Sequence, residues 1–165
     1  MYYIIIGNII ALVASILMVY AGIIKEKKKI LYLQIIQIGL SVISNIILGG
    51  ITGAIINVIS CISNVLCYKD KLNLKEKIIL ISLAIIVSVP FNNLGIVGFL
   101  PIISLVTYTL LMDIKDVVKF KYLIMFSMLL WLIYSLCINL YVSAIFNFIS
   151  IITNAISIWQ LKKKS

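Results

Sequence analysis

No histidine and no arginine occur in the 165 residues, and only five carboxylates accompany fourteen lysines. The missing histidine removes the commonest metal ligand and the usual general base. Three cysteines, Cys61, Cys67 and Cys137, form no Cys-X-X-Cys pair. Odd in number and set in or beside apolar stretches, they read as small apolar side chains, not as disulfide partners or metal ligands. There is no glycine-rich phosphate loop and no nucleophile beside a base. No enzyme activity, metal or cofactor is therefore expected. Charge is also missing from long stretches of chain. All of it falls in four clusters, 25–29, 69–77, 113–121 and 162–164. With no carboxylate or histidine in mid-stretch, the chain lacks the intramembrane ionisable group that a proton-coupled pump usually carries.

What remains is apolar. The residues AVILMFWYC make up 64% of the chain and charged residues 12%, with a mean hydropathy of +1.23. That composition cannot supply the polar shell of a soluble domain, so a lipid bilayer is the expected surrounding. A helix needs about 20 residues to cross a hydrocarbon core of about 30 Å. Met1–Ile24 is one span; the stretches 30–68, 78–112 and 122–161 are each too long for one and right for two. Turn-forming residues divide them: Gly49-Gly50, then Pro90 with Asn92-Asn93 and Gly95, then Asn139. Seven helices are predicted, over 2–24, 30–48, 51–68, 76–91, 94–113, 119–138 and 141–161. The fourth has the shortest apolar run.

Seven spans put all four charged clusters on one side, which the lysine excess marks as cytoplasmic. The N-terminus is then outside and the C-terminus inside. The first segment has no positive region before it and reads as an N-out anchor, not a cleavable signal. Topology accounts for every lysine, so the net charge of +9 does not call for nucleic acid. The lysines are placed to touch anionic inner-leaflet lipids. An aromatic belt is assigned, with Tyr2, Tyr3, Tyr20, Tyr108 and Tyr141 near the outer interface and Tyr32, Tyr68, Tyr122 and Trp159 near the inner one.

The chain also repeats itself. AIINVISCISN at 54–64 returns in register as AIFNFISIITN at 144–154, keeping Ala54/Ala144, Asn57/Asn147, Ser60/Ser150 and Asn64/Asn154 in step. The same offset pairs Lys25 with Lys115, Glu26 with Asp116, Tyr32 with Tyr122 and Leu33 with Leu123. An internal repeat changes the expected fold before anything else is weighed. Three helices per copy is odd, so a second copy joined directly would insert upside down. A reversing fourth helix restores the orientation. The predicted fold is an all-α polytopic membrane protein with a 3+1+3 plan: a triple-helix repeat over 1–69, a linker helix over 70–93 and a parallel repeat over 94–165.

Over its whole length the chain resembles the YgjV-type family of small bacterial inner-membrane proteins, within the wider SWEET and PQ-loop group. The two repeat helices carry the likeness, with LPIISLVTYTLL at 100–111 and MFSMLLWLIYSL at 125–136. The wider group implies transport of a small polar solute. In SWEET-type facilitators an asparagine on the third helix of each repeat lines the pocket, and Asn57 and Asn147 match those positions. PQ-loop proteins hinge at a Pro-Gln pair in the first helix of each repeat. Here Pro101 is followed by Ile102, and its repeat partner is Ala11. At most, single-sided bending is implied.

Asn57, Ser60, Cys61 and Asn64 fall at i, i+3, i+4 and i+7, one stripe of a helix. Asn147, Ser150 and Asn154 repeat it. A carboxamide in lipid lacks hydrogen-bond partners, so the stripes should face inward. Two readings stand. Asn57 and Asn147, with Ser60 and Ser150, line a pocket for a neutral polar solute such as a sugar, nucleoside or vitamin precursor, with Trp131 as an aromatic wall. Alternatively these residues are contacts between helices, worth about 0.6–2 kcal/mol each, and Trp131 packs against a smaller neighbour. For Asn64, Asn154 and Pro101 a gate or helix-contact role is expected. The expected function is a facilitator; the alternative is a non-transporting receptor, accessory or structural protein of the same fold.

Overall fold

The computed structural model describes residues 2–47, 51–90, 92, 95–137 and 141–164. Among them are seven α-helices and no strand: α1 (Tyr2–Ile23), α2 (Lys27–Ile47), α3 (Ile51–Tyr68), α4 (Leu74–Ser88), α5 (Phe99–Leu111), α6 (Val117–Cys137) and α7 (Tyr141–Lys164). Four of them, α1, α2, α6 and α7, are long and apolar enough to cross a membrane. The breaks expected at Gly49-Gly50 and Asn139, and Asn93 in the middle break, lie outside the described residues, as does the side chain of Tyr141.

Local chemistry sets the boundaries. Asp116 starts α6, its carboxylate accepting from the Lys119 amide at 2.9 Å in an ordinary N-cap. Asn73 starts α4 by accepting from the amides of Lys75 and Glu76 at 3.0 and 3.3 Å, two residues earlier than the apolar run suggests. Pro90, with no N–H, cannot extend the ladder past the helix end. The largest departure from expectation is at α5, which starts at Phe99 and not at 94. Gly95 adopts φ +56°, its carbonyl accepts from Asn92 Nδ2 at 3.0 Å, and a 3-10 turn occupies Gly95–Gly98. A Cβ at Gly98 would run into the Asn92 side chain, so this tight turn takes up the residues assigned to the first turn of helix five.

The 15 residues of α4 span about 22 Å at 1.5 Å per residue, short of a full hydrocarbon core. The helix is apolar almost all round. It buries Lys77, Leu80, Ala84 and Ser88 on one face and exposes Ile78, Ile79, Leu83 and Ile86 on the others. On α1, Ile5, Ile9, Leu12, Ile16 and Ile23 are likewise exposed. Apolar surface of this extent is a liability in water and suited to lipid.

The helices pack as a ring. α1 lies on α2 and α7, α2 on α3, α5 on α6 and α6 on α7; α3 touches α5 narrowly, and α4 packs along that seam. Apart from α3 against α4, each contact of the first three helices has a counterpart at the 90-residue offset, α1 against α7 answering α5 against α3. In the order α1, α2, α3, α5, α6, α7, helices related by the offset stand opposite each other. Hydroxyls and a thiol stitch the neighbours. Ser44 donates to the Gly7 carbonyl at 2.9 Å, Ser104 and Ser127 share a 2.6 Å bond, and Ser157 donates to the Ile23 carbonyl at 3.3 Å. The repeat partner of Ser157, Cys67, donates to the Met112 carbonyl at 3.2 Å.

All four charged clusters meet at one end. Lys28 pairs with Asp70 at 2.8 Å, Lys77 with Asp113 at 2.8 Å, and Lys162 reaches the Tyr122 hydroxyl at 3.2 Å. This end corrects part of the aromatic belt. Tyr20 and Tyr108, assigned to the opposite interface, sit in the last turns of α1 and α5, the turns that lead into the charged clusters. Both helices run toward the lysines, so residues near their C-termini belong to that end.

Candidate functional site

The stripes of α3 and α7 are turned inward to different depths. Asn57, Ser60 and Cys61 are half-buried and Asn64 is buried; on α7, Asn147, Ser150 and Asn154 are all buried. Within each stripe the two asparagines behave differently. Asn64 Nδ2 donates to its own helix at the Ser60 carbonyl, 2.9 Å, and Asn154 Nδ2 to the Ser150 carbonyl, 2.8 Å. These bonds run along a helix, not between helices. By contrast, Asn57 and Asn147 make no hydrogen bond among the described residues. Two carboxamides at equivalent positions of opposite helices are thus left with free donors and acceptors. The Ser150 hydroxyl, fully enclosed, has no partner either.

Trp131 is half-buried and meets Tyr134 of its own helix edge to face, with ring centroids 5.6 Å apart. Pro101 is buried in the first turn of α5, where its missing N–H breaks no helical bond.

Lysine placement is the main correction to the sequence reading. Lys121, counted with the topology charges, is fully buried, and no carboxylate lies against it among the described residues. Its ammonium donates to the Gly22 carbonyl at 2.8 Å and approaches Asn154 Oδ1 at 3.4 Å. Lys77, also buried, donates to the Leu110 carbonyl at 2.7 Å; Lys27 donates to the Ile114 carbonyl at 2.6 Å and lies 5.0 Å above the Phe120 ring. Lys121 and Lys77 each satisfy a carbonyl in the last turn of α1 or α5 that has no helical partner, and Lys27 reaches a carbonyl in the loop after α5. The offset exposes an asymmetry: Lys121 answers to Leu31. Where Asn154 Oδ1 has Lys121, Asn64 Oδ1 is buried with no partner.

A further buried contact went unforeseen. Tyr108 donates to Gln34 Oε1 at 2.7 Å and packs on Phe120 with ring centroids 6.0 Å apart. Gln34, an uncharged amide two turns into an apolar span, was the available signal for it.

At the lysine end of the α3/α5 seam, a half-open pocket of about 470 Å³ lies over Leu31, Cys67 and Leu72, with Lys27, Lys28, Lys115, Asp70 and Asp113 around it. Asp70 takes φ 55° in a Schellman turn closing α3: the Lys71 amide donates to the Leu66 carbonyl at 2.8 Å and the Asp70 amide to the Cys67 carbonyl at 3.0 Å. Glycine is the usual residue there. The hydrogen bond and charge of Lys28 hold the Asp70 carboxyl below its ordinary range. For Asp113, burial pushes the carboxyl up, but the Lys77 hydrogen bond and charge outweigh it, with a net shift downward.

The model of the YgjV family, described as a bacterial inner membrane protein, matches residues 5–165. The chain belongs to that family. As a YgjV-family protein it resides in the bacterial inner membrane, which accounts for the apolar outer faces of α1 and α4. No curated protein and no solved structure matches it. Membership gives the YgjV-family chain a location and leaves its activity to be argued from the side chains.

Proposed function

We propose that this YgjV-family protein is a facilitator for a small neutral polar solute, binding it between Asn57 and Asn147. The observation that carries this reading is the pair of unpartnered carboxamides on opposite helices. Half-buried Asn57 and buried Asn147 spend no donor or acceptor on the described residues of their own bundle, so both amides are available to a ligand that reaches them. Ser60 and Ser150 extend the polar lining by one turn, the free Ser150 hydroxyl adding a donor and acceptor. Trp131 forms the aromatic wall, and Asn64, Asn154 and Pro101 lie toward the ends of the path. A sugar, nucleoside or vitamin precursor fits this uncharged lining.

The same proposal includes seven spans in two parallel repeats, 1–69 and 94–165, joined by a linker over 70–93. The N-terminus is outside and the lysine end cytoplasmic. The paired helix contacts support the repeat plan, and the gathering of every charged cluster at one end supports the orientation. The resemblance to SWEET-type facilitators supports transport.

Counterflow of a radiolabelled solute into proteoliposomes tests the proposal. Saturable exchange without a pH gradient, abolished in Asn57→Leu/Asn147→Leu, is the expected outcome. Uphill accumulation driven by a pH gradient would overturn facilitation. Binding without exchange would move the assignment to a receptor on the same fold.

A further inference from the structure

The two seams of the ring are built from equivalent helices and finished differently. At the α7/α1 seam Lys121 fills the interior, and Gly22 packs so closely that a Cβ there would strike Thr153 and Asn154. At the α5/α3 seam Leu31 stands where Lys121 does, and the pocket of about 470 Å³ opens instead. Its carboxylates are already engaged, Asp70 by Lys28 and Asp113 by Lys77, each at 2.8 Å. Lys27 and Lys115 form no close ion pair among the described residues, although the charges of both act on Asp70. Lys27 has one N–H on the Ile114 carbonyl and two to spare, and Lys115 makes no hydrogen bond or ion pair among the described residues.

We propose that this pocket binds a phosphate-bearing anion, with Lys27 and Lys115 on the phosphate and the carbon skeleton over Leu31 and Leu72. The lining sets three lysines against two carboxylates. That positive excess attracts a phosphate monoester, with about −1.5 to −2 charges at neutral pH, or a singly charged lipid phosphodiester, and lysine serves as a point-charge phosphate ligand. The volume suits a small ester or the head of a lipid. Asp70, in the left-handed residue of the Schellman turn that closes α3, holds at the rim the carboxylate that positions Lys28. Basic pockets between helices at the cytoplasmic surface take anionic headgroups, so the phosphate has two sources, a lipid or a soluble ester. Neither Asn57 nor Asn147 lines this pocket, so the inference does not rest on the facilitator reading.

The test is thermal unfolding of the purified full-length protein titrated with inorganic phosphate and glycerol 3-phosphate in detergent. In parallel, nanodiscs of phosphatidylglycerol are compared with phosphatidylcholine. The variants are Lys115→Gln, which loses no hydrogen bond or ion pair, Lys27→Gln, and Lys75→Gln on α4 outside the pocket. Stabilisation by an anionic probe, weakened at least tenfold in apparent affinity by Lys115→Gln and Lys27→Gln but not by Lys75→Gln, is expected. A response to the soluble probes assigns a free phosphate; a response to phosphatidylglycerol alone assigns a headgroup. Absence of stabilisation by every probe, or an equal loss in Lys75→Gln, would overturn the site.

Discussion

Asn147 and Asn154 sit two turns apart on α7, and their surroundings predict opposite responses to the same substitution. Asn154 donates to the Ser150 carbonyl and faces Lys121. Asn154→Leu removes one of the two acceptors of that buried ammonium and should cost about 1–3 kcal/mol. Asn147 has no partner to lose, so Asn147→Leu should leave stability unchanged or higher. Thermal unfolding of the two variants in one detergent reads the contrast directly. Lys121→Met should also lower stability, because the Gly22 carbonyl loses its donor, at about 1–3 kcal/mol. The stripes were legible in the sequence, since spacing at i, i+3, i+4 and i+7 fixes a face. The division of labour within them was not. Whether an amide bonds its own helix or stays free depends on neighbours that spacing does not specify. A lysine near a helix start looks the same whether it is solvated or, like Lys121, turned under the end of another helix.

At the scale of elements, the ends of α1 and α5 are where packing is tightest. Gly22→Ala places a methyl against Thr153 and Asn154 and should cost about 1–3 kcal/mol by overpacking. Thr153→Ala should recover part of that cost, and a double-mutant cycle would expose the coupling between α1 and α7. The Lys77–Asp113 pair joins α4 to α5. The Asp113 carboxyl is held below its ordinary value, so its contribution is present above the unfolded pKa of about 3.9 and lost as pH falls through the folded value. Wild type should therefore lose stability more steeply below about pH 4 than Asp113→Asn. Most element boundaries were readable because charge clusters and turn residues punctuate the apolar runs. The start of α5 was not, because the Asn92–Gly95 bond and the close contact at Gly98 exist only once the turn has folded.

For the whole molecule, helices paired by the 90-residue offset make paired contacts around the ring. Between the seams, Lys121 stands where Leu31 does and Gly22 where Met112 does, and α4 packs on one side only, differences that needed the packed bundle to be read. If the amides of Asn57 and Asn147 bind a neutral polar solute, that ligand raises the unfolding temperature of the purified protein. Sugars, nucleosides and vitamin precursors are screened against wild type and Asn57→Leu/Asn147→Leu. A ligand at 100 times its Kd adds about 2.7 kcal/mol, a readily measured shift. One class should stabilise wild type and leave the double variant unmoved. If no class stabilises wild type while the variant unfolds at the same temperature or higher, the amides hold no solute and the account is contradicted.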